Sequence, residues 1–477
     1  MNLKQLLEGL EYQTKLSDTE IKTVTGDSRQ VENGSLFVCI KGEKSDGHKY
    51  ADKAIENGAS AILCQQDLGL DNQILVADSR YAYSIVCRNF FEKADEKLRL
   101  IGITGTNGKT TVTYLLKHVL ESCGKKVGLI GTIQTMIDDV VLPAQHTTPD
   151  PFQLHSIFNR MVKAGCEFAV MEVSSHALAQ QRTAGCHFEC GVFTNLTQDH
   201  LDYHKTMEEY YKAKKLLFDS SDFAILNYDD SYSKRLMQEI KIPYLTYSAS
   251  ADLADYTAKA VRGMPTGSRF TFIGKDTIGR ISFPMPGSYS VSNAMATAAT
   301  AIKLGCDVPS VCKALTACPG VKGRTEVIPV DAEFAVIRDY AHTPDGLEKV
   351  ITALKQFSVG RVITLFGCAG ERDRTKRNKM SEIVSRLSDL AILTSDNPRS
   401  ENPQQIIDDA MDGLAMHNTP YKIFIDRYEA IVWAVAECKK DDILLLAGKG
   451  HEDYQVLDFG TVNFDEKAII QQLLKKK

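Results

Sequence analysis

The feature that most constrains the fold lies at residues 102–111, where an apolar run leads into a glycine-rich segment that ends in Lys-Thr-Thr. The run at 98–104 is typical of a buried strand, and residues 112–123 have the apolar spacing of a helix. Glycines let backbone N–H groups close around phosphate, and the N-terminus of the following helix adds favourable partial charge. The pattern predicts a phosphate loop in which Lys109 reaches the terminal phosphates and the Thr110 hydroxyl binds Mg²⁺.

This loop departs from the strict phosphate-loop pattern, because Ile103 stands where a glycine is expected before Gly108. A plain glycine-rich turn between a strand and a helix is the alternative interpretation. The loop also leaves the reaction open, since motors, GTPase switches and kinases can all carry one.

Two later segments place metal-binding side chains after predicted strands. The apolar run at 169–173 contains Glu172, where a phosphate-loop protein holds a second magnesium ligand, although a solvated glutamate is the simpler alternative. Beyond the next strand, residues 199–204 carry two histidines and two aspartates. A lone histidine is usually structural, but four such groups together favour a site.

The chain is about three domains long at roughly 150 residues each, since it has 477 residues. We predict an α/β fold with a small N-terminal α/β domain over 1–97, a central phosphate-loop domain over 98–323 and a C-terminal doubly wound, Rossmann-like domain over 324–477. The central domain should combine a parallel sheet with an antiparallel insertion at 256–283. Predicted strands span residues 35–40, 59–64, 73–76, 127–130, 168–173, 192–196, 223–227, 334–338, 361–366, 390–394, 421–425 and 442–446, and predicted helices include 50–57, 112–123 and 292–301.

Composition excludes several functional classes. The formal net charge of −5 provides no global basic field for nucleic acid or an anionic membrane. The sequence has no run of about 18 consecutive apolar residues, and its first residues lack the apolar core of a signal peptide. Its twelve cysteines include no C-x-x-C pair, which favours free thiols in a reducing cytosol over a zinc site or disulfides. We therefore expect a cytoplasmic protein that binds neither nucleic acid nor membrane.

The motifs together resemble the Mur ligases, the ATP-dependent amide ligases of peptidoglycan precursor synthesis. The matching segments are 105–111, 172–176, 194–202, 323–326, 339–344 and 448–452. The resemblance covers essentially the whole chain and is strongest to the members that add the third amino acid of the stem peptide to UDP-MurNAc-L-Ala-D-Glu. Residues 26–29, 34–38 and 46–48 look like the domain with which those members bind uridine. The resemblance implies a monomer that acts in cell-wall biogenesis, cell shape and cell division.

The family reaction implied by this resemblance has two steps. ATP phosphorylates a substrate carboxylate, and an amine then attacks the acyl phosphate, so that an amide forms and phosphate leaves. Positioning and charge neutralisation should supply most of the catalysis. The residues implied to bind ATP are Gly105, Thr106, Asn107, Gly108, Lys109, Thr110, Thr111, Asn293, Arg324 and Asp339. Those implied to be catalytic are Lys109, Glu172, His200 and Lys214.

The resemblance also implies two Mg²⁺ ions. Thr110 and Glu172 match the ligands of the ion between the β- and γ-phosphates, and Glu172 and His200 match those of the second. Lys214 matches the family lysine that CO₂ converts to a carbamate, an anion that Mg²⁺ attracts whereas it repels an ammonium. Taken alone, Lys214 is equally an exposed lysine on the basic face of a helix.

The two remaining substrates are assigned by the same matches. The positions matching those that hold UDP-MurNAc-L-Ala-D-Glu are Ser28, Thr147, Thr148, Ser174, Gln180 and Arg182. The Asp-Asn-Pro-Arg pattern resembles enzymes that add meso-diaminopimelate, because Arg399 offers its distal carboxylate a planar, bidentate partner that L-lysine cannot use. The residues implied to bind diaminopimelate are Arg372, Asp396, Asn397, Pro398, Arg399, Gly448 and Glu452.

Three alternatives stay open at this point. One is the same ligation with L-lysine or another diamino acid. A second is a ligase of the folylpolyglutamate synthase type, which shares the central and C-terminal architecture but lacks an N-terminal domain of this kind. The third is a phosphate-loop NTPase that is not a ligase, which the dense motifs of the C-terminal domain disfavour.

Overall fold

The structure is a computed structural model that describes residues 1–42, 45–138 and 140–475. The chain divides into two compact units, Met1–Thr246 and Tyr247–Lys477. Parallel strands that alternate with helices dominate both units, which confirms the predicted α/β class. An antiparallel segment also occurs where the sequence predicts one, at 256–283.

The first sheet of the first unit lies in its N-terminal third and has the order β1-β5-β4-β3-β2. Its strands are β1 Tyr12–Thr14, β2 Thr23–Thr25, β3 Ser35–Val38, β4 Ala59–Cys64 and β5 Gln73–Val76, and its helices are α1 Leu3–Leu6, α2 Ala51–Glu56 and α3 Ser79–Phe90. Only β1 runs antiparallel to its neighbour among these described strands. Asp78 is the N-cap residue of α3, and its side chain accepts from the amides of Arg80 and Tyr81.

The second sheet of this unit carries the phosphate loop. Its strands are β6 Arg99–Thr104, β7 Val127–Ile130, β8 Gln134–Ile137, β9 Val140–Pro143, β10 Phe168–Glu172, β11 Cys190–Phe193 and β12 Ala224–Asn227, in the order β12-β11-β6-β10-β7-β8-β9. Its helices are α4 Lys109–Ser122, α5 Pro151–Lys163, α6 Ser175–Ala179, α7 Leu201–His204, α8 Met207–Asp219 and α9 Ser231–Glu239. A further strand, β13 Tyr244–Ser248, contains the division between the units.

The centre of this sheet determines where its functional side chains lie. Strand β6 pairs in parallel with β10 and β11, and Glu172 is registered with Ile103, two residues before the loop begins. Ligands of open parallel sheets bind at the carboxyl ends of such strands. Strand β11 ends at Phe193, earlier than the predicted 196, because Thr194 turns to donate a hydrogen bond to the Asn107 carbonyl at 2.6 Å.

The second unit contains an antiparallel group of strands and a six-stranded sheet. The antiparallel strands are β14 Tyr256–Met264, β15 Gly267–Gly274 and β16 Thr277–Phe283, followed by helices α10 Ser288–Lys303 and α11 Val308–Thr316. The six strands are β17 Glu326–Ile328, β18 Ala335–Asp339, β19 Val362–Cys368, β20 Leu390–Ser395, β21 Tyr421–Ile423 and β22 Ile443–Ala447, in the order β17-β18-β22-β19-β20-β21. The remaining elements are α12 Pro344–Lys355, α13 Thr375–Leu387, α14 Pro403–Ala415, α15 Arg427–Glu437, β23 Tyr454–Leu457, β24 Gly460–Asn463 and α16 Glu466–Leu474.

Separate apolar clusters cover the two faces of the six-stranded sheet, as expected for a doubly wound fold. One contains Leu347, Val384 and Ile407, from α12 to α14, and the other contains Ile431 and Ile470, from α15 and α16. The central strand β22 is buried along its whole length. The carboxyl ends of the parallel strands β20 and β22 therefore lie at the same edge of the sheet.

Two findings bear on the composition argument. In the described part of the chain, no helix is both long and apolar enough to cross a membrane. The cysteines are all free thiols, and all but Cys123 and Cys438 are buried. The prediction of free, mostly buried thiols is confirmed.

Candidate active site

The phosphate loop depends on two glycines with positive φ. Gly105 follows β6 with φ +144°, and a Cβ built on it would lie 1.9 Å from the Thr194 hydroxyl oxygen. Gly108 has φ +88° and stands directly before α4. A side chain is excluded at the first position by contact and disfavoured at the second by backbone strain. The loop backbone is thereby held close to the start of the helix, where anions bind.

Contacts to the segment after β11 brace the loop. The amide of Thr106 donates to the Asn195 carbonyl at 2.8 Å, and the amide of Asn107 donates to the Asn195 side chain at 3.0 Å. Lys109 lies across the loop and donates from Nζ to the carbonyls of Gly105 and Thr106, at 3.0 and 2.9 Å. The ammonium is thus held at the loop that the sequence assigns to phosphate. Thr111 is buried within α4.

Glu172 is the buried carboxylate beside this loop. Its Oε2 accepts from the hydroxyls of Thr110 at 3.0 Å and Thr132 at 3.1 Å, while Oε1 accepts from the Thr132 amide at 2.8 Å. A carboxylate beside threonine hydroxyls is the oxygen donor set that Mg²⁺ prefers. Within the described ranges, no three His, Cys, Asp or Glu side chains form a metal cluster. An ion here would therefore use hydroxyl and phosphate oxygens as well, which is usual for Mg²⁺ with nucleotides.

His200 lies among aromatic rings. Its ring centroid is 4.9 Å from that of His176 and 6.1 Å from that of Tyr210, and its backbone has φ +53°. Burial lowers the pKa of His200, which keeps the imidazole neutral and able to bind a metal. His204, one helical turn on, bonds Ser175 Oγ at 2.9 Å. In the structure, His200 therefore lies among rings and not within a cluster of carboxylates.

Lys214 is buried, which is contrary to its reading as an exposed lysine on a helix face. Its Nζ donates to the Gly105 carbonyl at 2.8 Å and lies 4.7 Å from the centroid of the Tyr210 ring. Burial, reinforced by the positive charge of Lys109, holds the pKa of Lys214 well below its ordinary value. Burial thus shifts the equilibrium of Lys214 toward the neutral amine, the nucleophilic form, relative to an exposed lysine.

The residues matched to the dipeptide form one network beside Glu172. The Thr148 hydroxyl donates to the Glu172 carbonyl at 2.8 Å and lies 3.4 Å from Ser174 Oγ. Arg182 donates to the Thr148 carbonyl and to Gln180 Oε1, both at 2.8 Å. Thr147 joins through Thr132, at 3.0 Å between hydroxyls. Five of the six matched residues therefore lie together.

The sixth, Ser28, lies in the N-terminal third of the first unit, where its carbonyl accepts from the Asn57 side chain at 3.1 Å. Gln180 and Arg182 instead line a cavity of about 170 Å³, whose walls come from both the N-terminal part and the phosphate-loop part of the first unit. Its other lining residues are Ile40, Arg80, Tyr83, His146, Asp150 and Pro151. Sequence reasoning missed Arg80 and His146, which stand outside the matched motifs.

In the second unit, two of the three residues matched to ATP lie together. Asp339 accepts from the amides of Thr325 at 2.7 Å and Ala341 at 2.8 Å, and burial raises the pKa of this carboxyl. The Arg324 guanidinium lies 4.8 Å from the centroid of the Tyr340 ring. Asn293 is buried on α10.

The residues matched to diaminopimelate cluster where β20 and β22 end. Asp396 and Asn397 follow β20 and are buried, and the Asn397 amide donates to Glu452 Oε2 at 2.8 Å. Gly448 follows β22, and a Cβ there would lie 3.5 Å from Asp396 Oδ2. These four residues line one edge of the sheet.

The two matched arginines differ in how firmly they are held. Arg399, which follows Pro398, donates from Nη1 to the Gly370 carbonyl at 2.6 Å. Arg372 is exposed, and its Nη1 lies 3.5 Å from the Glu371 carbonyl oxygen. The structure therefore ties the Arg399 guanidinium to the Gly370 carbonyl and leaves Arg372 at the surface.

Two buried cations of this region were missed from the sequence. Lys449 lies between Asp396 and Glu452, and Arg427 forms an ion pair with Glu466 in which both side chains have no exposed area. The Arg427 guanidinium also donates to the carbonyls of Ser395 and Ala447, the last residues of β20 and β22. Lys449 lies within the matched segment 448–452 but was given no role there, and Arg427 lies outside the matched segments; the burial of both cations appears only in the folded chain.

The chain is similar over its whole length to known proteins. Three Mur ligase models match the chain: the family's catalytic domain over residues 20–97, the middle domain over 103–301 and the glutamate ligase domain over 323–450. A relative from Clostridium acetobutylicum, UDP-N-acetylmuramoyl-L-alanyl-D-glutamate–2,6-diaminopimelate ligase 1, is 44% identical over 483 residues, with 100% of both chains covered. The chain belongs to the Mur ligase family. It is therefore an ATP-dependent ligase.

The chain is also similar to other Mur ligases. A relative from Clostridioides difficile, UDP-N-acetylmuramoyl-L-alanyl-D-glutamate–2,6-diaminopimelate ligase, is 40% identical, with both chains covered in full. A solved structure described by that same enzyme name has a TM-score of 0.72 and 33% identity, covering 95% of this chain and 94% of its own. The MurF ligase of Acinetobacter baumannii, with a TM-score of 0.65 and 19% identity, covers 99% and 98%. This last likeness shows the shared Mur ligase fold alone.

Proposed function

We propose that the protein is a MurE ligase, which joins meso-diaminopimelate to UDP-MurNAc-L-Ala-D-Glu in the cytoplasm and converts ATP to ADP and phosphate. The observation that carries the proposal is the full-length identity of 44% to a relative named for 2,6-diaminopimelate ligation. The Asp396-Asn397-Pro398-Arg399 segment, in which Asp396 and Asn397 are buried, supports the choice of acceptor. The largely buried free thiols suit a reducing compartment.

The proposal divides the substrates among three parts of the chain. Residues 1–97 bind the uridine part of the UDP-sugar through Ser28, residues 98–323 bind ATP and the dipeptide, and residues 324–477 bind diaminopimelate. The protein acts as a monomer. The matched family models at 20–97, 103–301 and 323–450 support this division.

The first step is phosphorylation of the dipeptide's terminal carboxylate. The loop amides and Lys109 neutralise the ATP phosphates, and Arg182 with Thr148 and Ser174 orients the dipeptide beside Glu172. Thr110 and Glu172 would hold one Mg²⁺, and Glu172 with His200 a second. When bound, these ions reduce the negative charge that opposes attack on the γ-phosphate.

Carboxylation of Lys214 is part of this proposal. The Nζ amine attacks the carbon of CO₂, a nitrogen–carbon bond forms, and the amine releases one proton, which leaves an anionic carbamate. The buried position of Lys214 and its lowered pKa support the neutral amine that this addition needs. In place of a positive charge beside Lys109, the site then holds a negative one, which Mg²⁺ attracts.

The second step is attack of the acceptor's amine on the acyl phosphate. Glu452, Asn397 and Asp396 receive the polar groups around the reacting amine, and Gly448, with φ +109°, lies beside Asp396. Arg399 receives the distal carboxylate of diaminopimelate, with Arg372 at the rim. L-lysine has no carboxylate at that position, so the Arg399 guanidinium would be left without this partner.

An omission experiment tests the proposed reaction. Phosphate release from ATP is measured with UDP-MurNAc-L-Ala-D-Glu and meso-diaminopimelate together, and with each left out in turn. We expect release only in the complete mixture. Release from ATP alone would indicate an NTPase, and release with a folate and glutamate would indicate a folylpolyglutamate-type ligase; either result contradicts the proposal.

A further inference from the structure

Lys449 lies among the residues assigned to diaminopimelate and has no exposed side-chain area. Its Nζ donates to Asn397 Oδ1 at 2.9 Å and to the Tyr454 carbonyl at 2.8 Å. It also lies 3.3 Å from a carboxylate oxygen of Asp396 and 3.8 Å from one of Glu452. One ammonium thus contacts three residues assigned to diaminopimelate.

These contacts determine the orientation of the Asn397 amide. Asn397 Oδ1 accepts from Lys449 and from the Val456 amide at 3.0 Å, and both of these groups are donors only. The Asn397 nitrogen must therefore point the other way, where it donates to Glu452 Oε2 at 2.8 Å. Through Asn397, Lys449 fixes the position of the Glu452 carboxylate as well.

Lys449 also balances the charge of the cluster. Two carboxylates, Asp396 and Glu452, lie beside one ammonium, so the cluster keeps a net negative charge for an incoming ammonium group. Burial raises the pKa of Glu452 and Asp396 raises it further, whereas Asn397, Lys449 and His342 lower it. The other titratable groups that face Glu452 are Tyr340 and Tyr454. Without the lysine's charge, the Glu452 carboxyl would retain a proton at higher pH.

We propose that Lys449 is a positioning residue for the acceptor amino acid: it orients Asn397 and, through its charge, holds the carboxylates of Asp396 and Glu452 in place to receive the acceptor's ammonium group. This inference rests on the proposed function, because it takes these residues as the diaminopimelate site. Lys449 acts through its three neighbours and does not itself contact the substrate.

Two substitutions separate the lysine's hydrogen bond from its charge. Lys449→Gln keeps a donor for Asn397 without the charge, and Lys449→Arg keeps both. The control is Lys355→Met, which removes a lysine that pairs with Asp389 at 2.6 Å elsewhere in the same unit. KM is measured for each substrate, and kcat/KM for meso-diaminopimelate is followed against pH.

We expect Lys449→Gln to raise the KM for diaminopimelate by about tenfold or more, because truncating a buried charge pair weakens binding strongly. The KM for ATP and for the UDP-dipeptide should change less than about twofold. General damage to the enzyme would instead change all three KM values. The acidic limb of the kcat/KM profile should move to higher pH by about one unit. Lys449→Arg should restore most of the loss, and Lys355→Met should match the unmodified enzyme.

The proposal is overturned if Gln and Arg behave alike, if all three KM values rise together, or if the acidic limb stays in place. Fluorescence of Trp433, the only tryptophan of the chain, reports whether each variant is folded. If Lys449→Gln does not fold, Lys449→Arg decides: an acidic limb that coincides with that of the unmodified enzyme supports the proposal, and a shifted limb contradicts it. An unmodified enzyme that does not use diaminopimelate would refute the proposed function instead.

Discussion

Removal of the Arg427 guanidinium should destabilise the second unit more than any exposed charge removal there. Arg427 and Glu466 are both fully buried, and the guanidinium donates to Glu466 at 2.8 Å and to the Ala447 and Ser395 carbonyls at 3.0 and 3.3 Å. Arg427→Met leaves a buried carboxylate and two strand-end carbonyls without this donor. Breaking a buried pair in this way costs about 3–5 kcal/mol.

The matched control for this substitution is Arg386→Met. Arg386 pairs with Glu348 and Glu382, both at 3.0 Å, on a partly exposed surface. Exposed pairs contribute about 0–1 kcal/mol, so this variant should unfold almost as the unmodified protein does.

The only tryptophan of the chain makes the assay specific to this unit. Trp433 lies on α15, the helix that begins at Arg427, and packs 5.8 Å from Phe424 between ring centroids. Urea unfolding followed by Trp433 fluorescence should show the midpoint of Arg427→Met lowered by about 1–2 M, given about 3 kcal/mol per M for the slope. A change below about 1 kcal/mol, equal to that of Arg386→Met, would refute the assignment of Arg427 as a buried clamp on the two strand ends.

Three further predictions concern specificity, pH and carboxylation. Arg399→Ala should lower the kcat/KM preference for meso-diaminopimelate over L-lysine by about tenfold to thousandfold, and Arg399→Lys should recover part of it; an unchanged preference would contradict the role of Arg399. Burial, reinforced by Arg88, lowers the pKa of His155 to about 3, and neither ring nitrogen has a hydrogen-bond partner. Because protonation favours the unfolded chain, the free energy of unfolding should fall with decreasing pH below the unfolded pKa of about 6.5, and His155→Phe should remove about 1.4 kcal/mol per pH unit of that fall; equal slopes by circular dichroism would contradict this. Depletion of CO₂ should lower the activity and added bicarbonate should restore it, with no restoration in Lys214→Ala; a restored Lys214→Ala would disprove the carbamate.

The sequence predicts the parallel strands well, because buried strands of this kind are continuous apolar runs. The predicted strands at 73–76 and 127–130 match the structure at both ends. The hairpin of Gln134–Ile137 and Val140–Pro143 is missed, because its second strand is largely exposed and has no buried alternation. Its pairing is set by the sheet beside it rather than by a local pattern.

A site residue is predictable from the sequence where one motif contains both the residue and the strand that positions it. Glu172 ends a strand next to the phosphate-loop strand, so its meeting with Thr110 follows from sheet topology. Lys449 is not predictable in this way, because its partner Asn397 is 52 residues distant along the chain and comes from another strand end. Local sequence shows only a lysine between two glycines. Long-range packing supplies the buried partners that give this lysine its role.

The most direct test of the account is a competition between two acceptors in one mixture. The unmodified enzyme is given ATP, UDP-MurNAc-L-Ala-D-Glu and equal concentrations of meso-diaminopimelate and L-lysine, and the products are separated and identified by mass spectrometry. We predict that nearly all of the product carries the additional carboxyl group of diaminopimelate. Equal amounts of the two products, or lysine product in excess, would contradict the assignment of this Mur ligase as a meso-diaminopimelate-adding enzyme.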